Sequence, residues 1–385
     1  MRTRIPFLKL PASYPPSDPT VAREYQRSFA RVLARGRFIL GEELARFERE
    51  FAAFCGARWC VGVGNGTEAL LIALRLSGIR PGPGRDVQEV ITTPLTASFT
   101  AHAIVAAGAR PVFADVDPDT LLLDPEAARR CITRRTAALL PVHLYGQCCD
   151  LAAFRALARE TGCALVQDAA QAHGAQFDGK PLAQFSDCVA FSFYPTKNLG
   201  CLGDGGALIT NRADLAAQAR LFRDGGRREG HVASQEGINS RLDEVQAALL
   251  RIHLRRLKQW NRRRAELARF YDEALAPWVS HTTPDRLRLL GRAPRSQSSH
   301  HLYVIRTRRR QRLRQFLADR GIATAVHYEM PLHLHPAFRG LGYRRGDFPA
   351  AERAAREICS LPLHPWLSDR DAAAVVRALG RYFER

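Results

Sequence analysis

The stretch Phe191-Ser192-Phe193-Tyr194-Pro195-Thr196-Lys197-Asn198-Leu199-Gly200, which continues as Cys201-Leu202-Gly203-Asp204-Gly205-Gly206, decides the fold. A short apolar run leads into a lysine, and a glycine-rich segment follows. Among 57 basic residues only four are lysines: Lys9, Lys180, Lys197 and Lys258. An amine can lose its proton and attack a carbonyl, whereas a guanidinium in practice cannot. Lys197 is therefore predicted to form a Schiff base with a carbonyl cofactor such as pyridoxal phosphate; the alternative is a solvated surface lysine.

Apolar runs alternate with helical patterns on both sides of this stretch. Strands are predicted at 59–63, 90–92, 111–114, 137–144, 164–167, 189–193 and 207–210. Helices are predicted at 41–56, 69–76, 101–107, 151–160 and 242–260. This alternation predicts an α/β fold with a mostly parallel sheet of the seven-stranded type and helices on both of its faces.

The pattern changes after Trp260. Residues 277–298 are polar and rich in proline, and a strand at 301–306 and helices at 309–320, 350–358 and 369–383 follow. These elements predict a smaller α+β unit. We therefore expect a large domain over residues 1–262, which would bind the cofactor, and a small C-terminal domain over residues 263–385.

Composition excludes several classes of protein. The apolar fraction of 46% suits a large core, and no apolar run approaches the roughly 18 residues of a membrane span. The net charge of +19 is spread along the whole chain, so a nucleic-acid patch is not expected. Nine cysteines without a C-x-x-C pair predict buried thiols in a reducing cytoplasm, and no metal site is predicted.

Small and polar residues fall where predicted strands end, which is where open α/β sheets bind ligands. Gly64-Asn65-Gly66-Thr67 lies between a strand and a helix, so its backbone could hold a phosphate or simply form a turn. Asp168 ends a buried strand and needs a partner, for which a protonated pyridine nitrogen is suited; alternatively, it caps a helix or pairs with an arginine. Ser192 could bind a phosphate while Lys197 reaches an aldehyde. Asn239 and Arg241, which precede the long helix, suit a turn and a cap.

These segments together resemble the DegT/DnrJ/EryC1/StrS family of sugar aminotransferases, a branch of the fold-type I pyridoxal-phosphate enzymes. The likeness covers nearly the whole chain. The segments that carry it are 6–10, 36–41, 64–69, 167–174, 191–211, 237–250, 331–334 and 360–365. The resemblance implies an aspartate aminotransferase-like fold and a homodimer with shared active sites.

The resemblance also implies a role for individual residues. Lys197 matches the Schiff-base lysine, Asp168 the acid that pairs with the pyridine nitrogen, and Gln171 the amide beside the ring hydroxyl. Gly66, Thr67 and Ser192 match phosphate ligands. Asn239 matches the residue that reaches the phosphate of the neighbouring subunit's cofactor, which changes its interpretation from turn residue to ligand.

One position departs from the family pattern. The family often places an aromatic ring over the cofactor just after a threonine, where this chain has Ala97. The nearest ring belongs to Phe99, two residues further on. Either Phe99 stacks on the cofactor or stacking is lost, and the difference is worth about 0.5–1.5 kcal/mol.

The resemblance implies amino transfer from glutamate or glutamine to a keto sugar, with a nucleoside diphosphate as the expected carrier. Arg220 to Arg228 and His327 to His335 are candidates for the sugar-nucleotide site, with His327, Tyr328 and His333 as substrate residues. His333 could equally be a packed core histidine. Two alternatives are a pyridoxal-phosphate sugar dehydratase, whose relatives replace the lysine with histidine, and a silent regulatory protein on the same fold.

Overall fold

The structure, a computed structural model, describes residues 4–11, 19–82, 87–229, 232–280, 282–283 and 285–384. Its helices are α1 (Pro19–Arg35), α2 (Glu42–Phe54), α3 (Gly66–Leu76), α4 (Ser98–Ala106), α5 (Pro125–Arg130), α6 (Leu151–Thr161), α7 (Ala213–Arg223), α8 (Glu244–Leu275), α9 (Arg310–Ala318), α10 (Pro349–Glu357) and α11 (Asp369–Phe383). Its strands are β1 (Trp59–Val63), β2 (Glu89–Thr92), β3 (Arg110–Phe113), β4 (Thr136–Leu139), β5 (Ala164–Asp168), β6 (Gln176–Phe177), β7 (Lys180–Pro181), β8 (Cys188–Ser192), β9 (Gly206–Thr210), β10 (Arg227–Glu229), β11 (Val232–Ala233), β12 (Arg288–Leu289), β13 (Ser296–Gln297), β14 (Tyr303–Arg306) and β15 (Ile358–Leu361).

Seven strands form the central sheet in the order β1-β9-β8-β5-β4-β2-β3. Only β9 runs antiparallel to its two neighbours, and the other adjacent pairs are parallel. Side chains of α3, α4 and α7 pack in one hydrophobic cluster with the sheet, and those of α2 and α8 pack in another. The predicted α/β fold, mostly parallel with helices on both faces, is confirmed.

The C-terminal part of the chain forms a second, smaller sheet of β12, β14 and β15, all antiparallel. The predicted boundary at residue 262 falls inside α8, which continues well beyond the predicted end at 260. The helix continues because Leu267, Tyr271 and Leu275 are buried in the cluster that also holds Leu379 of α11. The division into two domains therefore stays a prediction, and α8 is shared between the two parts.

The predicted strand at 137–144 is wrong in its second half, because β4 ends at Leu139. Pro141 follows and has no N–H for a strand ladder. Beyond it the backbone turns, and Tyr145 takes a positive φ of 59°. This turn carries the Tyr145 N–H to the carboxyl end of β5, where the predicted site residues lie.

The cysteine prediction is consistent with the structure: all nine are free thiols, and seven of them are buried. Within the described ranges, no helix combines the length and the apolar character needed to cross a membrane.

Candidate active site

Lys197 lies in the tight loop between β8 and β9. A side chain could not be added at either glycine that closes this loop. A Cβ on Gly200 would stand 2.5 Å from the Pro195 carbonyl oxygen, and one on Gly206 would stand 2.4 Å from the Asn65 carbonyl carbon. The Lys197 N–H donates to the Tyr194 carbonyl at 2.8 Å. The glycines seen in the sequence therefore allow the loop to pack against the start of α3.

Asp168 ends β5 and lies buried on the same side of the sheet. Its carboxylate accepts the Ala170 N–H at 3.0 Å and the Thr100 hydroxyl at 2.8 Å. Burial raises the pKa of Asp168, although the two hydrogen bonds and the Lys197 ammonium oppose that rise. Burial lowers the pKa of Lys197 to about 8, and Asp168 opposes that fall. The amine therefore exchanges its proton near neutral pH.

Gln171 connects Asp168's loop to the C-terminal part of the chain. Its Oε1 accepts the Tyr145 N–H at 2.7 Å, and its Nε2 donates to the Tyr328 hydroxyl at 3.1 Å. The Tyr145 hydroxyl donates to the His327 carbonyl oxygen. Burial, and to a lesser extent the positive charge of Lys197, lowers the pKa of His327 to about 4. The structure thus brings Tyr328 and His327 near Lys197 and Gln171, and their contact with a substrate stays a prediction.

The start of α3 meets the end of β8 and forms a candidate phosphate cradle of Gly66, Thr67 and Ser192. Asn65 caps the helix through its Oδ1, which accepts the Glu68 N–H at 2.9 Å. That cap leaves the N–H groups of Gly66 and Thr67, in the first turn, without an intrahelical partner. A Cβ on Gly66 would stand 2.6 Å from the Ser192 Cβ, so only glycine allows this approach. The predicted phosphate ligands are therefore neighbours in space.

Two other predicted cofactor residues, Asn239 and Phe99, are exposed in the single chain. Asn239 is exposed on the surface just before α8, next to Ser240, whose hydroxyl accepts the Gly64 N–H at 3.0 Å. Phe99 is 64% exposed, although its neighbour Thr100 bonds Asp168. In the single chain the Phe99 ring therefore faces largely solvent, and its stacking on a cofactor stays a prediction.

His333 is packed into the core, which favours the alternative that the sequence left open. It is 2% exposed, its Nε2 lies 3.1 Å from Glu352 Oε1, and its ring stands edge-on to Phe348. Burial lowers the pKa of His333, with Glu352 opposing. A histidine held in this way supports the chain between β14 and α10 and does not offer a nitrogen to a substrate.

The segment Arg220 to Arg228 is also mostly engaged in structural contacts. Arg223 is buried, bonds Glu48 and donates to the Gly62 carbonyl oxygen at 2.7 Å. Arg220 lies over the Trp59 ring, 5.3 Å from its centroid. Arg227 pairs with Asp224 at 2.6 Å. The expectation that this whole segment binds the sugar nucleotide is not supported; Arg228 is the exposed arginine of the four.

His333→Ala is expected to lower the free energy of unfolding by about 2 kcal/mol, because it removes a buried ring and the hydrogen bond that this ring makes with Glu352. The KM for the sugar substrate should stay within error of the parent. His335→Ala is the matched control, since His335 is only half-buried and two residues away. Urea unfolding and steady-state kinetics measure both effects; a raised KM at unchanged stability would return His333 to the substrate site.

The sequence did not single out Thr100, His301 or Asn198 as site residues. Thr100 orients Asp168 directly. His301 Nδ1 lies 3.1 Å from Asn198 Oδ1, and Asn198 follows Lys197 in the chain. The available signals were a threonine directly after Phe99 and a histidine pair, His300 and His301, at the start of a predicted strand. Neither signal indicates which residue the side chain bonds unless the fold is known.

Comparison with known proteins identifies a family and several relatives that this chain resembles. The sequence model of the DegT/DnrJ/EryC1/StrS aminotransferase family matches residues 19–380. A dTDP-3-amino-3,4,6-trideoxy-alpha-D-glucose transaminase of Streptomyces venezuelae is 44% identical over 99% of this chain and 97% of its own length. A "pleiotropic regulatory protein" of Geobacillus stearothermophilus is 40% identical over 98% of each chain.

Solved structures agree with the sequence comparisons. The crystal structure of S. venezuelae DesV, in complex with a ketimine intermediate, superposes with a TM-score of 0.93 at 44% identity and covers 99% of both chains. A DegT/DnrJ/EryC1/StrS aminotransferase from Brucella abortus superposes with a TM-score of 0.87 at 33% identity, over 95% of this chain and 97% of its own. The chain described here belongs to the DegT/DnrJ/EryC1/StrS aminotransferase family.

Proposed function

We propose that this protein is a pyridoxal-phosphate enzyme that moves an amino group from glutamate to a keto sugar carried by a nucleoside diphosphate. One observation carries the proposal: a lysine with a lowered pKa lies close to the buried Asp168 carboxylate, in a loop that packs against the start of α3, where Gly66 meets Ser192. These are the three contacts that one pyridoxal phosphate requires. The alternative of a sugar dehydratase is not favoured, because its relatives carry histidine where this chain has Lys197.

The residues present fit the cofactor at both ends. Asp168 is a buried carboxylate that faces Lys197 without an arginine partner in the described part of the chain, as an acid for a pyridinium nitrogen must be. Gly66, Thr67 and Ser192 would hold the phosphate at the start of α3, where the helix dipole favours an anion. When bound, the cofactor supplies an aldehyde and an electron-withdrawing ring.

The chain's own residues would supply proton transfer and orientation. Lys197, as a neutral amine, would take the proton from the donor's α-carbon and later deliver one to the sugar carbon that receives nitrogen. Its pKa of about 8 lies close to working pH, where general bases act best. Thr100 holds the Asp168 carboxylate, and Gln171 holds Tyr328 beside the site.

The acceptor class is inferred from relatives. Besides the S. venezuelae transaminase, a dTDP-3-amino-3,6-dideoxy-alpha-D-galactopyranose transaminase of Aneurinibacillus thermoaerophilus is 39% identical over 94% of this chain. His327 and Tyr328 are our candidates for contacting the sugar, since both reach the Lys197 side from the C-terminal part of the chain. The net charge of +19 also favours a diphosphate substrate. L-Glutamate is proposed as the amino donor.

A homodimer with shared active sites is part of the proposal. Phe38, Ile39 and Leu202 are 48%, 38% and 47% exposed. All three lie at the start of α8: the Phe38 carbonyl accepts the Glu244 N–H, Ile39 bridges Asp243, and the Leu202 N–H donates to Gln246. Exposed apolar side chains grouped in this way are typical of an interface. Asn239 is exposed five residues before α8 and could reach a partner's phosphate cradle.

Shared sites predict that two inactive variants restore each other. Asn239→Asp should repel a phosphate in the partner's site, and Lys197→Arg should inactivate its own site. In coexpressed chains, mixed dimers would contain one intact site, so activity should return to about a quarter of the parent value. Each variant expressed alone is the control. Activity no higher than that of Asn239→Asp alone would contradict shared sites.

A regulatory role is the second candidate, because one relative carries that name. A silent protein would have no need for an amine poised at Lys197. Borohydride reduction of the protein incubated with pyridoxal phosphate distinguishes the two. The reduced cofactor should be found by peptide mass spectrometry on Lys197 alone; label on another lysine, or on none, would overturn the proposed enzyme.

A further inference from the structure

His301 lies beside Lys197 but has no role in the proposed chemistry so far. It precedes β14, is 7% exposed, and its backbone N–H donates to the Tyr145 carbonyl at 3.0 Å. Its Nδ1 lies 3.1 Å from Oδ1 of Asn198, the residue that follows Lys197. The charged and titratable groups that act on the ring are Lys197, Arg264, His327 and His173.

The hydrogen bonds of Asn198 decide which nitrogen of His301 carries the proton. Asn198 Nδ2 donates to Asn261 Oδ1 at 2.9 Å and to the Ser299 carbonyl oxygen at 2.8 Å. A carbonyl can only accept, so the orientation of the Asn198 amide is fixed. Asn198 Oδ1 must then accept from His301, which places the proton of a neutral ring on Nδ1.

His301 is held neutral by its surroundings. Burial lowers its pKa well below the usual value, and the positive charges of Lys197 and Arg264 lower it further. With the proton on Nδ1, the Nε2 atom carries a lone pair. Within the described residues Nε2 has no hydrogen-bond partner. Unlike both nitrogens of His173, it is not completely enclosed by protein atoms. His301 therefore has a hydrogen-bond acceptor at Nε2 that no other described residue uses.

Two other histidines experience the Lys197 charge but are less suited to accept from it. His173 lies against the rings of Phe191 and Phe193 with both nitrogens enclosed. His327 Nδ1 lies 3.0 Å from the Ser360 hydroxyl, which can donate or accept, so the position of its proton is open. Of the three, His301 is the one whose hydrogen-bond network fixes an acceptor.

We propose that, in the pyridoxamine-phosphate form of the enzyme, the neutral imidazole of His301 accepts through Nε2 a hydrogen bond from the Lys197 amine, which that form leaves free. The proposal rests on the proposed function, in which Lys197 alternates between binding the cofactor and moving protons. His301 is then a positioning residue. It holds the flexible lysine side chain near the reacting carbon and favours the ammonium form that must give its proton back.

Two substitutions separate this role from a merely structural one. The amide of His301→Asn stands near the position of Nδ1, so it keeps the bond to Asn198 and loses the acceptor. The amide of His301→Gln stands near the position of Nε2 and keeps an acceptor. The pyridoxamine-phosphate form of the enzyme leaves Lys197 free. Because the chain has four lysines, NMR of lysine labelled at the ε-carbon resolves Lys197, assigned by its loss in Lys197→Arg.

His301→Asn should lower the pKa of Lys197 by about one unit, a tenfold change in the ratio of amine to ammonium, because a hydrogen bond to the charged form is lost. His301→Gln should stay close to the parent, and so should His327→Asn. An unchanged pKa in His301→Asn, or a larger shift in His301→Gln than in His301→Asn, would overturn the proposal.

A second measurement needs no variant. Labelling of histidine with nitrogen-15 in the parent enzyme should show His301 protonated on Nδ1 and unprotonated on Nε2; the reverse tautomer overturns the proposal. The outcomes also distinguish a failure of the His301 contact from a failure of the proposed function. An unshifted Lys197 in an enzyme that transaminates refutes the His301 contact alone. A shifted Lys197 in a protein that never transaminates refutes the proposed function and leaves the contact.

Discussion

Lys197→Arg is expected to reduce amino transfer by about 10⁴-fold or more while the protein stays folded. The guanidinium keeps the positive charge but in practice cannot lose its proton, so it can neither attack an aldehyde nor act as a base. The side chain lies in a partly open pocket rather than in the core, so the fold should tolerate the change. Stopped-flow absorbance and steady-state assays measure the loss, and circular dichroism checks the fold.

The matched control is Lys180→Arg. Lys180 lies exposed in β7, at the surface hairpin that β7 forms with β6, and undergoes the same chemical change. Its activity should equal that of the parent. If Lys197→Arg retained more than about a tenth of the parent rate, proton transfer would belong to another residue and the assignment of Lys197 would fail.

Asp168→Asn is expected to have the second-largest effect, a fall in kcat of about 10²–10³-fold. The amide keeps the size of the carboxylate, and the Thr100 hydroxyl can turn to accept from it, so the packing should survive. What disappears is the negative charge that would hold a proton on the cofactor's ring nitrogen. The same charge raises the pKa of Lys197, so the pKa of that lysine should fall below about 8 in the variant.

Two comparisons make this test specific. Asp214→Asn alters an exposed carboxylate paired with Arg212 at 2.6 Å and should leave kcat unchanged. Thr100→Val keeps the Asp168 charge but removes the hydroxyl that orients it, so its loss should be only about tenfold. A variant Asp168→Asn with the parent's kcat would show that Asp168 has a structural role and that the ring nitrogen needs no acid here.

The sequence predicted those parts of the site that depend on where strands end. Asp168 and Ser192 both end strands of the parallel core, β5 and β8, and apolar runs mark such strands clearly. The end of a strand identifies a place at the edge of the sheet, so their proximity to Lys197 could be expected before the fold was known. Gly66 and Thr67 could be predicted in the same way, because a strand, a turn of small residues and a helix follow one another in the sequence.

Other features depend on contacts between distant segments of the chain. The hydrophobic periodicity of the sequence does not indicate such contacts. His333 and His327 look alike in sequence, yet one is packed against Glu352 and Phe348 while the other reaches the site. The role of His301 follows from the amide of Asn198, about a hundred residues earlier. The length of α8 was underestimated because its last turns are amphipathic towards a different cluster, that of Leu379.

The measurement that tests the central claim most directly is the recovery of the aldehyde cofactor. The enzyme is first converted with glutamate to its pyridoxamine-phosphate form, and the product keto acid is removed. Nucleoside-diphosphate keto sugars with the keto group at different carbons are then added singly, and absorbance is followed. We predict that at least one of them restores the aldehyde spectrum in the parent and none does so in Lys197→Arg. Failure of every nucleotide keto sugar to restore it would contradict the proposed acceptor class.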